Sequence, residues 1–189
     1  MRILSKEEFE KEKDIIRNKL IENDIVFIYP TDTIYGIGCN ALNKEAVERV
    51  RRIKQRGNSP FSVIAPSKEW ISENCEVNED AKEWVKRLPG PFTLILKTKN
   101  YCVAENVNLK LGSLGIRIPD HWFSKFVAEA EIPIVTTSVN KSKSDFMTSL
   151  DNLDDEIKSK VDFIVYEDSK QGKPSKIVDL TDSEKIVER

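Results

Sequence analysis

Four short stretches place polar groups where apolar runs end. Pro30-Thr31-Asp32-Thr33-Ile34-Tyr35-Gly36-Ile37-Gly38 follows the apolar run Ile25 to Tyr29 and supplies two hydroxyls, a carboxylate and a phenol. Ligands of layered α/β proteins sit outside strand ends, and the same residue types also make self-bonded turns. Lys54-Gln55-Arg56-Gly57-Asn58-Ser59-Pro60 sets two cations two residues apart before a Gly-Asn-Ser loop. A lysine point charge beside an arginine fork suits a phosphate chain, although the GK[ST] signature of a P-loop is missing. Ser113-Leu114-Gly115-Ile116-Arg117-Ile118-Pro119 puts an arginine within an otherwise apolar strand, as a salt-bridge partner of an acid such as Asp120 or Asp32 or as a carboxylate ligand. Thr136-Thr137-Ser138-Val139-Asn140 offers uncharged hydrogen-bonding groups after the run Ile132 to Val135, for a ligand or for a capping turn.

The intervening patterns predict the elements that must hold these groups. Ser5 and Glu8 form a capping box ahead of a helix with a Phe9, Ile16, Leu20 stripe, ended by Asn23-Asp24. Strands are expected at Ile25–Tyr29, Phe61–Ala65, Phe92–Leu96, Leu114–Ile118, Ile132–Thr137, Asp162–Tyr166, Ile177–Leu180 and Lys185–Arg189. Asn43 caps a helix over Lys44 to Arg56 with Ala46, Val47, Val50 and Ile53 on its apolar face, which leaves Lys54 and Arg56 at its exposed end. Ser67 and Asn78 cap two more helices, the second running to Leu88. A helix runs from Asp120 to Glu131 and a polar one from Leu150 to Lys160, while residues 30–42 read as a glycine-containing loop. Helices and strands mix without a strict repeat, so the expected fold class is α/β or α+β with a mixed sheet.

Composition excludes several chemistries. The chain has 189 residues, 39% apolar and 33% charged, enough for one domain over residues 1–189. Its net charge of -2 argues against a globally basic nucleic-acid binder. No apolar run approaches a membrane span, and MRILSKEEFEKEKD is not a signal peptide, so the expected location is cytoplasmic. The three cysteines lack C-x-x-C spacing, and His121 is the single histidine, so no zinc site is expected. Charge is uneven: residues 44–69 hold seven Lys or Arg against three Glu, and residues 151–189 hold seven basic against eleven acidic groups. The basic block is either a solvated face that complements the helix dipole or an anion site.

In order, PTDTIYGIG, K-x-R, PGPFTLIL, GIRIPDH, TTSVN and PSKIVDLT closely resemble the YrdC/TsaC-like threonylcarbamoyl-AMP synthase family, from about residue 22 to 189. The resemblance implies a twisted open sheet with helices around a concave, positively lined cavity, in the short single-domain form. It implies that L-threonine, bicarbonate and ATP, with Mg2+ carried on the nucleotide, give L-threonylcarbamoyl-AMP and pyrophosphate. The product would feed threonylcarbamoyladenosine in tRNA, with tRNA and the downstream threonylcarbamoyl transferase proteins as further partners.

Residue by residue, the resemblance implies that Lys54 and Arg56 act on the triphosphate and are the catalytic pair. Thr33, Arg117, Ser138 and Ser175 would contact threonine, with Arg117 on its carboxylate. Ser59, Ser113, Asn140, Thr148 and Arg189 would contact ATP. The sequence departs from the family pattern in a loop one residue shorter between Arg56 and Pro60, in Ser-Val-Asn for Ser-Ala-Asn, and in Ser175-Lys176 for Ser-Thr. Two other classes stay open. One is an RNA-binding module, or a paralogue without this catalysis, using the basic helix. The other is a transferase with Cys39 as nucleophile, against which a buried inert thiol is weighed.

Overall fold

The computed structural model describes every residue except 110, 143, 188 and 189. Ten strands form one mixed sheet in the order β1-β8-β2-β3-β7-β4-β6-β5-β9-β10. They are β1 (Arg2–Leu4), β2 (Phe27–Tyr29), β3 (Gly36–Gly38), β4 (Ser62–Ile64), β5 (Phe92–Lys97), β6 (Ser113–Arg117), β7 (Ile134–Ser138), β8 (Phe163–Val165), β9 (Lys176–Asp179) and β10 (Lys185–Val187). The helices are α1 (Lys6–Glu22), α2 (Lys44–Ile53), α3 (Lys68–Asn74), α4 (Glu79–Lys86), α5 (Glu105–Asn108), α6 (Trp122–Ala130) and α7 (Asp155–Lys160). No helix among the described residues is long and apolar enough to cross a membrane.

Local chemistry sets most boundaries. The Ser5–Glu8 capping box is formed in full, and Asn43, Ser67 and Asn78 each accept a backbone N–H at the start of their helices. The expected helix over Leu150–Lys160 is instead a 3-10 turn, Leu150–Asn152, followed by α7. Asp154 breaks it, because its carboxylate accepts from the N–H groups of Glu156 and Ile157 and starts a new helix. Likewise α2 stops at Ile53 rather than Arg56, with Gln55 turning the chain at a φ of 48°.

Side-chain alternation gives the sheet two different faces. On one face, Phe27, Tyr29, Ile64, Ile134, Phe163 and Val165 pack against Phe9, Ile16 and Leu20 of α1 and Phe123, Phe126 and Val127 of α6. Tyr29 stacks on Phe123 with ring centroids 4.5 Å apart. The other face carries Ile28, Val63, Leu94, Ile116, Val135 and Val178 into a second core with α2, α3 and α4. Strand β7 joins the two halves: Thr137 and Ser138 pair with β3, while Ile134, Val135 and Thr136 pair with β4. The face that α1 and α6 cover in the first half continues into the second half, where its residues line a cavity.

Candidate functional site

The cavity floor is one row of the sheet. Register aligns Thr136 with Ser62, Ser62 with Gly115, Gly115 with Ile95 and Ile95 with Asp179, across five strands from β7 to β9. All five residues line a cavity of about 560 Å³, within the roughly 300–1,000 Å³ of small-molecule clefts. Gly115 keeps the floor low, since a Cβ there would lie 2.4 Å from the Ser62 hydroxyl. The walls come from Thr31, Ile34 and Tyr35 after β2, from Arg56, Pro60 and Phe61 after α2, from Phe146, and from Pro174 and Ser175 before β9.

Arg117 ends β6 and is 6% exposed. Its Nη2 donates to Asp32 Oδ1 at 2.7 Å, and both Nη atoms reach Thr33 Oγ1 at 3.3 Å. Asp32 Oδ2 accepts from the Asp120 N–H at 3.0 Å, so the acid ties the Pro30–Gly38 loop to the residues before α6. Thr31 Oγ1 donates to Ile34 O at 2.6 Å and accepts from Thr33 N at 3.1 Å. The Thr33 hydroxyl, 3.1 Å from that of Thr31, therefore donates to Thr31 and presents its lone pairs to Arg117. Ser175 Oγ lies 2.7 Å from Thr93 Oγ1 on the same side of the cavity. Of the two readings left open for Arg117, the salt bridge is formed, and the same guanidinium lines the cavity.

The second cation pair is split by burial. Lys54 is 2% exposed, not at an exposed helix end. The turn at Gln55 sends its ammonium under the Ser138–Asn140 segment, where it donates to the carbonyls of Ser138 and Asn140 and to Asn140 Oδ1. Burial, with the Arg56 charge beside it, pushes the Lys54 pKa down to about 7. Asn140 Oδ1 also accepts from Ser138 Oγ at 2.6 Å, and Asn140 Nδ2 donates to Ser144 O at 2.6 Å. Lys54, Arg56, Ser59, Ser138, Asn140 and Ser142 enclose a smaller cavity of about 230 Å³ that shares Arg56 and Ser138 with the larger one. Arg56 donates to Pro60 O at 2.7 Å and approaches Thr137 Oγ1 at 3.4 Å.

Thus Arg117, Ser175 and Ser113 stand at the large cavity, Lys54, Ser59 and Asn140 at the small one, and Arg56 and Ser138 at both, while buried Thr33 lines neither and reaches the large cavity only through its bonds with Arg117. Thr148 lines neither; its carbonyl accepts from Lys170 N at 2.8 Å. Arg189 lies outside the described residues. Arg51 and Asp179 escaped the sequence reading, whereas Asp32 is one of the two acids expected as a partner for Arg117. Asp32 supports Arg117, buried Arg51 donates to the carbonyls of Gly57, Ser59 and Asn106 and so holds the short loop, and Asp179 closes the floor. Asp32 and Asp179 both sit inside quoted motifs, PTDTIYGIG and PSKIVDLT, whereas Arg51 is marked only by the basic block. Elsewhere the basic helix is largely spent within the fold: Lys44 pairs with Glu105, and Arg49 with Asp24 and Asp162. Cys39 lies fully buried in the second core, and burial pushes its thiol up, away from the thiolate a nucleophile needs.

A strap over residues 166–175 closes one side. The Tyr35 hydroxyl binds the carbonyls of Glu167 and Asp168, and Glu167 accepts from Trp122 Nε1 at 2.8 Å and from Lys170. His121 Nδ1 accepts from Phe123 N, which leaves Nε2–H to donate to Glu167 Oε1 at 2.9 Å. Partial burial pushes the Glu167 carboxyl up, but the Lys170, Trp122 and His121 donors outweigh it and hold the pKa at about 2. Gly172 rests on the PTDT loop so closely that a Cβ would lie 2.1 Å from Thr33 O.

A family model, Sua5_yciO_yrdC, described as telomere recombination, matches residues 19–189. The chain belongs to the Sua5/YciO/YrdC family. A relative from Methanocaldococcus jannaschii, provisionally named a threonylcarbamoyl-AMP synthase, is 38% identical over 97% of this chain and 87% of its own length. YciO of Escherichia coli, named as an uncharacterized protein, is 29% identical over 90% of this chain and 85% of its own. Among solved structures, P. abyssi Sua5 complexed with L-threonine superposes with a TM-score of 0.84 at 28% identity, over 95% of this chain and 54% of that one. This Sua5/YciO/YrdC chain therefore spans about half of the Sua5 protein, and the fold expected from the sequence is the fold observed.

Proposed function

We propose that this chain condenses L-threonine, bicarbonate and ATP into L-threonylcarbamoyl-AMP and pyrophosphate, a nucleotidyl transfer that serves threonylcarbamoyladenosine formation in tRNA in the cytoplasm. The observation that carries the reading is one cavity edged by two arginines of different setting, Arg117 among Thr33 and Ser175, and Arg56 beside Ser138 and Asn140. The threonine bound in P. abyssi Sua5 and the synthase names of relatives support it.

The threonine amine adds to bicarbonate-derived CO2 to give a carbamate. A carbamate oxygen attacks the α-phosphorus of ATP, and pyrophosphate leaves. Such transfers rest on positioning and charge neutralisation, which suits walls of hydroxyls and guanidinium groups. Arg117 holds the amino-acid carboxylate with Thr33 and Ser175 about it, and Arg56 faces the triphosphate. Buried Lys54 holds the Ser138–Asn140 turn in register. No group of three or more His, Cys, Asp or Glu side chains that could hold a metal occurs among the described residues. Mg2+ enters with ATP as part of the substrate in this reading.

The test is pyrophosphate release in mixtures that each omit one of threonine, bicarbonate or ATP. The reading expects release in the complete mixture only. Release without threonine, or none in the complete mixture, refutes it.

A further inference from the structure

The large cavity is polarised along its floor. Arg56 stands at the β7 end beside Thr137, and Arg117 at the end of the central strand β6. Asp179 is the single acidic side chain lining the cavity among the described residues, on β9 at the opposite end of the row. Four strand spacings of about 4.8 Å put roughly 19 Å between the Thr136 and Asp179 positions, and two put roughly 10 Å between Gly115 and Asp179. A polyphosphate is repelled at the Asp179 end, so a nucleotide lying across the strands must turn its uncharged, donor-bearing part there.

Asp179 is prepared for such donors. Its Oδ1 already accepts from Thr181 N at 3.0 Å and Thr181 Oγ1 at 2.7 Å, which fixes the carboxylate at the end of the strand. These bonds hold its pKa below the usual carboxylate range, so it is ionised at neutral pH. Two apolar, partly exposed residues flank it in the cavity wall, Ile95 across the strand pair and Ile177 two residues back on the same strand face. They form a shelf for the face of a base, with a hydrogen-bond acceptor at its edge.

We propose that Asp179 is the ribose-recognition residue of the nucleotide site, its Oδ2 accepting from the 2′- and 3′-hydroxyls. The inference rests on the ATP-dependent reading above. A carboxylate at a strand end binding ribose hydroxyls is an established chemical solution. The adenine edge fits less well, since its N1 acceptor lies beside the N6 amino group and would face the acid. The arrangement also orders the reaction along the floor: triphosphate toward Arg56, nucleoside toward Asp179, and the α-phosphorus between them near Arg117.

The experiment measures binding of Mg·ATP, Mg·2′,3′-dideoxy-ATP and tripolyphosphate to the full chain by calorimetry, for wild type, Asp179→Ala and Asp179→Asn. The Asn variant keeps an acceptor for Thr181 and guards against a frayed β9. Wild type is expected to prefer ATP over the dideoxy analogue at least tenfold, because a site built for hydroxyls rejects the analogue lacking them. Both variants are expected to erase most of that preference and to leave tripolyphosphate binding unchanged. Equal weakening of ATP and dideoxy-ATP, or no preference in wild type, overturns the ribose assignment and leaves the ATP-dependent reading above to its own pyrophosphate-release test. A wild-type chain that binds no ATP overturns both proposals.

Discussion

Replacing Asp32 with Asn removes one charge and little else. The carboxylate is nearly buried, with side-chain exposures of 7% for Arg117 and 10% for Asp32. Asn keeps an oxygen for Asp120 N or for Arg117, but not an anionic pair for both. Breaking a buried pair from one side costs about 3–5 kcal/mol, and the retained acceptor puts this change near the lower end. For a chain of this length each kcal/mol moves the melting temperature by about 2–4 °C, so Asp32→Asn should melt about 6–12 °C lower. The guanidinium, relieved of its fixed partner, still faces the cavity, so the stabilisation produced by threonine with ATP should be at least as large as in wild type. The assay is circular-dichroism melting of both proteins with and without the ligands. An unchanged ligand-free melt would refute the energetic reasoning. A normal loss of stability with no ligand-induced shift would refute the assignment of carboxylate binding to Arg117 rather than to the loop that Asp32 orders.

Lys54 is expected to make stability depend on pH in an unusual direction. Its pKa falls from the ordinary lysine value to about 7 in the fold, so between pH 7 and about 10 the unfolded chain binds the extra proton, and stability rises with pH across that window. Urea midpoints at pH 6, 7.5 and 9 should show this rise in wild type relative to Lys54→Met, and parallel curves would refute it. Gly172→Ala places a methyl against Thr33 O, and lifting the strap should cost about 1–3 kcal/mol and weaken threonine binding, read by melting and calorimetry. Cys39→Ser should leave pyrophosphate release within about twofold, and a thiol reagent should leave Cys39 unmodified in the native chain, checked by mass spectrometry.

Much of the fold was legible because local rules and tertiary packing agree. Caps at Ser5, Asn43, Ser67 and Asn78 announced four helices, and apolar runs marked eight of the strands within a few residues. Strand β3 was missed because Gly36-Ile37-Gly38 reads as a loop. Its glycines answer to distant groups instead, the Tyr29 ring at Gly36 and the Val135 carbonyl at Gly38, where a Cβ would lie 1.8 Å away. Strand β1 has two exposed residues of three and no pattern to announce it, and α5 is a single turn without a side-chain cap. At the site, hydroxyls and cations were legible as motifs, but their states were not. That Lys54 is buried under residues 138–140 is a contact across more than 80 residues that no local window contains, and the partner of Arg117 could be narrowed only to Asp120 or Asp32 until the fold chose Asp32.

The lone histidine gives the chain a spectroscopic handle. His121 caps α6 with one ring nitrogen and grips Glu167 of the strap with the other. Burial pulls its pKa below the ordinary imidazole value, against the pull of Glu167, and so favours the neutral ring at pH 7. An unlabelled sample therefore shows one pair of imidazole proton resonances, assigned without mutagenesis, at the hinge between α6 and the segment that carries Ser175. Any displacement of those two lines when a ligand is added reads the seating of the strap directly, in a one-dimensional spectrum.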